Sequence, residues 1–145
     1  MKVNKVNLAL TTYASGYNCS QSVLSAYAED LGLDADTAKK LSSCFGGGMR
    51  MGATCGALSG ALMVLGLAKG FADYSPEQKA SIEVHCTGYI SRWKETIGET
   101  NCKEILGLDV SDPVERQKGK EAGIFALYCP NCIESAVLLL EEFLV

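Results

Sequence analysis

The chain carries seven cysteines in 145 residues, and four of them stand where helices are expected to begin. These four are Cys19, Cys55, Cys102 and Cys129. A helix N-terminus presents free backbone N–H groups and a partial positive charge, and both stabilise a thiolate. Because the thiolate is the form that attacks disulfides and binds metals, these positions favour redox or metal chemistry.

The residues beside these cysteines predict the helix starts. Asn18 and Asn101, which are favoured N-cap residues, directly precede the first and third of the four cysteines. Cys129 precedes Pro130, and proline suits the first helical position, so Cys129 is predicted to be an N-cap itself. Cys55 falls in the first turn of a glycine-rich segment.

Helical spacing places these cysteines on apolar faces. Cys19 shares a face with Val23 and Tyr27, and Cys129 shares one with Ile133. If the helices converge, the sulfurs converge too, so we expect them to gather in one interior pocket. The alternative is that each cysteine packs separately as a small hydrophobic residue.

Four converging thiolates are the usual complement of a 2Fe–2S or 4Fe–4S cluster. The sequence therefore favours an iron–sulfur or other metal site for electron transfer. Its predicted cofactor and metal ligands are Cys19, Cys55, Cys102 and Cys129.

Thiol–disulfide exchange is the second interpretation. Cys129-Pro130-Asn131-Cys132 is a C-x-x-C motif at a predicted helix start, an arrangement that lowers the pKa of its first cysteine. Cys129 and Cys132 are therefore the candidate catalytic pair, although the βαβ pattern of thioredoxin-like proteins is absent. Structural zinc is less favoured because it usually takes two close ligand pairs, and only one C-x-x-C occurs.

A non-catalytic scaffold with buried cysteines is the third interpretation. Gly52, Gly56 and Gly60 recur every four residues and fall on one stripe of a predicted helix. Glycine inside a helix costs about 1 kcal/mol relative to alanine, so some group is expected to approach this backbone closely. That group would be a neighbouring helix, a bound cluster or substrate, or a second copy in a homodimer.

Helical periodicity runs throughout the chain, and no convincing strand alternation occurs. We predict an all-α bundle of six or seven helices over residues 1–145, a single domain with a central Gly/Ala-rich helix. The predicted helices run from about Cys19 to Leu31, Asp34 to Cys44, Gly52 to Lys69 and Pro76 to Gly98, then briefly from Asn101, from Asp112-Pro113 toward Phe125, and onward from about Pro130.

Charge and hydropathy exclude several classes of function. The net charge is −4 and no long Lys/Arg cluster occurs, so nucleic-acid binding is not expected. The uncharged stretch from Met51 to Ala68 is short and diluted by glycine, which favours a buried helix over an integral membrane segment. The stretch that follows Lys2 is too short and interrupted for a signal peptide, so a reducing, cytoplasmic location is expected. His85, the only histidine, is interpreted as a packed or surface residue.

The chain resembles a family of redox-active proteins named for the cysteine pattern C_GCAxxG_C_C. The matching segments are Tyr17-Asn18-Cys19-Ser20-Gln21, Phe45-Gly46-Gly47-Gly48-Met49, Cys55-Gly56-Ala57-Leu58-Ser59-Gly60, Asn101-Cys102-Lys103-Glu104-Ile105-Leu106-Gly107 and Cys129-Pro130. The resemblance implies a cytoplasmic bacterial or archaeal protein with four characteristic cysteines. We expect the partner to be a redox protein, a small thiol or another electron carrier. Similar modules occur in electron-transfer proteins for which an iron–sulfur centre has been proposed. Cys44, Cys86 and Cys132 lie outside the four-cysteine pattern.

Overall fold

The computed structural model describes residues 4–145, in which the chain forms eight α-helices. They are α1 (Lys5–Ala14), α2 (Cys19–Ala28), α3 (Ala35–Leu41), α4 (Gly56–Lys69), α5 (Pro76–Thr96), α6 (Cys102–Leu106), α7 (Pro113–Glu121) and α8 (Ile124–Phe143). The predicted all-α fold class is confirmed, and the eight helices slightly exceed the six or seven that were expected.

Local capping signals set several of these boundaries. The Asn18 side chain accepts from the backbone N–H of Gln21, whose own side chain accepts from the N–H of Asn18. This reciprocal capping box begins α2 at Cys19, as predicted. At the start of α5, the Ser75 hydroxyl accepts from the backbone N–H of Gln78, and Pro76 occupies the first helical position.

The core lies where α2 and α4 pack together and are covered by α1, α5 and α8. Its largest fully buried side chains include Trp93 and Tyr89 on α5. The Tyr89 hydroxyl donates to the backbone oxygen of Ala136 on α8 at 2.7 Å, so this buried polar group has a hydrogen-bond partner. The faces of α5 and α8 that carry these residues therefore form part of the core.

Several helix boundaries differ from the prediction, and one helix was not predicted. The helix that was not predicted is α1, which packs against α2 and α8. Helix α4 begins at Gly56 rather than Gly52, because residues 48–52 form a tight turn with left-handed backbone. The second predicted helix ends at Leu41, before Cys44.

The start of the last helix was predicted wrongly. Helix α8 begins at Ile124, after the left-handed Gly123, and continues through Pro130. An internal proline removes one helix hydrogen bond, but the preceding turn is held by Ile124 and Phe125, which pack on Val110 and its neighbours. Cys129 therefore lies inside a helix, and not at an N-terminus.

Among the described residues, α8 is the one helix whose length and apolar composition would allow it to cross a membrane. Its inner face, which includes Ile133, Val137 and Leu140, is fully buried against the rest of the bundle. A buried core helix can have the same length and apolar composition as a membrane-spanning helix. The uncharged stretch from Met51 to Ala68, predicted to be a buried helix, overlaps α4, which is only 14 residues long.

Candidate functional site

Five cysteines line a single cavity of about 560 Å³. They are the four predicted residues, Cys19, Cys55, Cys102 and Cys129, together with Cys132. Cys19, Cys55, Cys102 and Cys132 are buried and Cys129 is half-buried, and none of them is joined in a disulfide. Cys44 and Cys86 do not line this cavity, nor does His85. The predicted gathering of sulfurs is thus found, with one member more than the sequence pattern indicated.

The glycines of α4 allow this helix to approach α2 closely. A Cβ atom on Gly60 would lie 2.9 Å from the backbone oxygen of Ser20, and one on Gly56 would lie 3.3 Å from Cβ of Cys19. Such contacts leave no room for a larger residue. The predicted neighbouring-helix explanation of the glycine stripe is therefore confirmed for these two positions, whereas Gly52 lies outside the helix.

A short backbone pairing places Cys55 beside Cys102. Thr54 and Asn101 form an isolated antiparallel bridge. On either side of it, the N–H of Cys55 donates to Thr100 at 2.8 Å, and the N–H of Cys102 donates to Ala53 at 2.7 Å. The starts of α4 and α6 are thereby fixed side by side, a contact that no periodicity in the sequence indicated.

The glycine-rich turn before α4 positions Arg50 at the cavity. Gly48 has φ of 61°, and a Cβ there would lie 2.3 Å from the backbone oxygen of Ala53, so only glycine fits. Met49 and Arg50 follow in the same left-handed region, with φ of 60° and 61°. Non-glycine residues in this region cost on the order of 1–3 kcal/mol each and tend to cluster at functional sites.

Cys129 pairs with Cys19 across α8 and α2. Interaction with the Cys19 thiol, supported by the Tyr13 hydroxyl, lowers the pKa of Cys129 to about 7, although burial opposes this shift. The same interaction, together with burial, raises the pKa of Cys19 well above its usual value. The two thiols therefore shift each other's pKa in opposite directions, which favours ionisation of Cys129 over ionisation of Cys19.

Cys55 and Cys132 form a second pair of the same kind. The pKa of Cys55 is lowered, chiefly by the Cys132 thiol and further by the backbone amides of Ala57 and Leu58 at the start of α4. The pKa of Cys132 is raised by this partner and by burial. Burial also raises the pKa of the fifth thiol, Cys102, to about 12.

A helix N-terminus was predicted to lower the pKa of each of the four cysteines, and it does so for one of them. Backbone amides contribute to the low pKa of Cys55, which is the N-cap residue of α4. At Cys19 and Cys102, burial and neighbouring thiols raise the pKa despite their position in the first helical turn. At Cys129, the low pKa comes from side-chain donors because no helix end is present there.

The C-x-x-C motif is not arranged as a ready disulfide pair. Cys129 and Cys132 are three residues apart within α8. Cβ atoms at this helical spacing lie roughly 5–6 Å apart, whereas a disulfide needs about 3.5–4.5 Å. The pKa of each of the two thiols is instead shifted chiefly by a cysteine from another part of the chain, Cys19 for Cys129 and Cys55 for Cys132.

Among residues 4–145, no group of three or more His, Cys, Asp or Glu side chains is arranged to hold a metal ion. The thiol donors are chemically suited to iron, which cysteine thiolates bind in clusters. The ligand set of Cys19, Cys55, Cys102 and Cys129 stays a prediction.

The cavity also has a cationic lining that the sequence analysis missed. Arg50 comes from the glycine-rich turn, and Arg116 and Lys120 come from α7. No carboxylate lines the cavity. The i, i+4 spacing of Arg116 and Lys120 shows that they share a helix face, but only the packing of α7 shows that this face meets the cysteines.

The model of the family described as "Putative redox-active protein (C_GCAxxG_C_C)" matches residues 17–143 of the chain. No curated protein and no solved structure matches it. The matched region contains all five cysteines that line the cavity and extends to the end of α8. The chain therefore belongs to this family of redox-active proteins.

Proposed function

We propose that the protein performs thiol–disulfide redox chemistry, with Cys129 as the attacking thiol and Cys19 as the resolving thiol. The observation that carries this proposal is that half-buried Cys129 and buried Cys19 line one cavity, where the pKa of Cys129 is lowered and that of Cys19 is raised. A thiol with a pKa near the ambient pH is the best attacker, since it is both ionised and nucleophilic.

The reaction balances with a disulfide substrate as the oxidant. The Cys129 thiolate attacks one sulfur of the substrate, breaks its S–S bond, forms a mixed disulfide and releases one substrate thiolate, which takes up a proton. Cys19 then loses its proton, attacks the Cys129 sulfur and releases the second substrate thiol. Two protein thiols are oxidised to one disulfide, and one substrate disulfide is reduced to two thiols.

Disulfide mapping after stoichiometric oxidation tests this proposal. Reduced protein is treated anaerobically with bis(2-hydroxyethyl) disulfide, and the peptides are then analysed by mass spectrometry. We expect a Cys19–Cys129 bond, and we expect the release of mercaptoethanol to fall at least tenfold in Cys129→Ser. Cys44→Ser is the matched control, because Cys44 is exposed and lies outside the cavity.

Two results would contradict the proposed pair. If Cys129→Ser reacted at the rate of the unaltered protein, Cys129 would not be the attacking thiol. If the bond joined Cys129 to Cys132, the C-x-x-C interpretation would replace the cross-helix pair.

An iron–sulfur cluster held by Cys19, Cys55, Cys102 and Cys129 is the second candidate function. It is favoured by the convergence of these sulfurs in a cavity that no carboxylate lines. The chemistry that a cluster would supply is one-electron transfer.

Cys102 separates the two candidates, since it is a predicted cluster ligand but belongs to neither thiol pair. The unaltered protein and the variant Cys102→Ser are both purified without oxygen and analysed for iron and sulfide. Stoichiometric iron and sulfide that are lost in Cys102→Ser would establish the cluster. Iron-free protein whose thiol chemistry survives Cys102→Ser supports the dithiol proposal.

We further propose that the protein works in the cytoplasm, with a redox protein, a small thiol or an electron carrier as its partner. Free thiols are maintained in a reducing compartment, and all seven cysteines are free in this structure. Cell fractionation tests the location, and recovery of the protein from an oxidising compartment would contradict it.

A further inference from the structure

The size and shape of the site suit a small molecule. The cavity volume of about 560 Å³ falls within the usual range of roughly 300–1,000 Å³ for small-molecule sites. Cys129 is half-buried in its wall and is not presented on a convex surface. A disulfide that reaches this sulfur must enter the cavity, which a low-molecular-mass compound does more readily than a disulfide anchored in a folded protein.

The charge of the lining is opposite to that of the whole chain. The protein has a net charge of −4, yet Arg50, Arg116 and Lys120 line the cavity without any Asp or Glu. Within residues 4–145, none of these three cations lies in an ion pair with a carboxylate. Their charge is therefore available to a ligand.

The three cations come from two separate elements that meet at the thiols. Arg50 is held in left-handed backbone between glycines and is close enough to Cys102 to affect its ionisation. Arg116 and Lys120 lie one helical turn apart on α7. A cleft lined by positive charges attracts anionic ligands and can raise their association rates by roughly 10- to 1,000-fold.

We infer that the substrate of this site is a low-molecular-mass disulfide that carries carboxylate or phosphate groups, bound through Arg50, Arg116 and Lys120 beside Cys129. This inference rests on the proposed function. It adds the class of substrate and the residues that select it.

A series of small disulfides that differ in charge tests the inference. Reduced protein reacts anaerobically with dianionic 3,3'-dithiodipropionate, neutral bis(2-hydroxyethyl) disulfide and dicationic cystamine. Each rate constant is divided by the rate constant of the same disulfide with free dithiothreitol, which removes differences in intrinsic reactivity. We expect the normalised rate of the dianion to exceed that of the dication at least tenfold at low ionic strength, and the ratio to shrink as salt is added.

Charge-removing variants assign the selectivity to the lining. In the double variant Arg50→Gln/Arg116→Gln, we expect the ratio of dianion to dication to fall at least fivefold. Lys79→Gln is the matched control, because Lys79 is an exposed cation on α5 that lies outside the cavity. Circular dichroism of each variant establishes that the bundle is folded.

The outcomes separate the inference from the function on which it rests. Equal normalised rates for the three disulfides, all abolished in Cys129→Ser, would overturn the anionic substrate and leave the dithiol chemistry standing. The anionic substrate is likewise overturned if the double variant keeps the full preference for the dianion. If none of the disulfides reacts with Cys129, the proposed function itself fails.

Discussion

At the residue scale, the reactivity of Cys129 depends on the two groups that stabilise its thiolate. Cys19 makes the larger contribution and the Tyr13 hydroxyl the smaller one, while burial opposes both. Burial and the nearby Cys129 raise the pKa of Tyr13, so this hydroxyl stays protonated and remains a donor. A neutral donor of this kind stabilises the negatively charged form of its partner.

The alkylation rate of Cys129 should therefore depend on pH with a midpoint near its pKa of about 7. The thiolate forms as the pH rises through this value, so the rate should climb and level off at higher pH. An unperturbed cysteine would give a midpoint of about 8.5. Peptide-resolved mass spectrometry with iodoacetamide measures this rate separately from that of the exposed Cys44.

The two donors supply the variants for this experiment. Tyr13→Phe should move the midpoint to higher pH, and Cys19→Ala should move it further because Cys19 is the larger cause. Tyr17→Phe is the control, since Tyr17 lines the cavity but does not contribute to the Cys129 pKa. A midpoint near 8.5 in the unaltered protein would show that the pKa of Cys129 is not lowered. A midpoint that is the same in Tyr13→Phe, Cys19→Ala and the unaltered protein would show that these two groups do not lower it.

At the scale of elements, the contact between α2 and α4 positions the thiols. The backbone of α4 approaches that of α2 at Gly56 and Gly60, close to Cys19 and Ser20. A helix pair held this closely has no flexible side chain at the contact that could yield to an added atom. The glycines of the family motif thus act through packing, which brings the helices that carry Cys19 and Cys55 together.

Gly60→Ala should destabilise the fold. The added Cβ would lie 2.9 Å from the backbone oxygen of Ser20 and 3.1 Å from its Cα. Overpacking typically costs about 1–3 kcal/mol, which exceeds the gain of about 1 kcal/mol in helix propensity. Urea denaturation measures the change in free energy of unfolding.

Gly66→Ala is the matched control on the same helix. A Cβ there meets nothing within 4 Å, so the propensity gain should appear as a stabilisation of up to about 1 kcal/mol. Equal stabilisation by both alanines would show that α2 and α4 are further apart than the structure places them.

At the scale of the whole molecule, the bundle joins distant parts of the chain at one redox site. Its cysteines come from the starts of α2, α4 and α6 and from the middle of α8. A disulfide between Cys19 and Cys129 would close a loop of roughly 110 residues. The oxidation state of the pair should therefore affect the stability of the entire fold.

Oxidation of this pair should raise the melting temperature. In the chain-entropy description, closing a loop of this length stabilises the folded state by about 4–5 kcal/mol before any strain is subtracted. Differential scanning calorimetry of the reduced and oxidised protein measures the shift, with Cys19→Ser as the control that cannot form the bond. An oxidised protein that melts at or below the temperature of the reduced one would argue against a Cys19–Cys129 bond in an undistorted bundle.

The sequence by itself determined the all-α class, most helix starts and the apolar faces that carry the cysteines. These features depend on groups only a few residues apart, such as Asn18 with Gln21 or Ser75 with Gln78. The capping pattern at Asn18 therefore located Cys19 correctly, and the glycine spacing in α4 correctly indicated a close neighbour. The prediction that the last helix starts near Pro130 was wrong, because an internal proline and a proline at a helix start look alike in sequence.

Only the tertiary structure decided which thiols meet. The inclusion of Cys132, the pairing of Cys129 with Cys19 and the cationic lining from α7 depend on helices far apart in the chain. No periodicity encodes the angle at which α8 crosses α2, nor the bridge of Thr54 with Asn101. These contacts follow from how the apolar faces fit together in three dimensions, which is why the sequence could name most of the cysteines but not their partners.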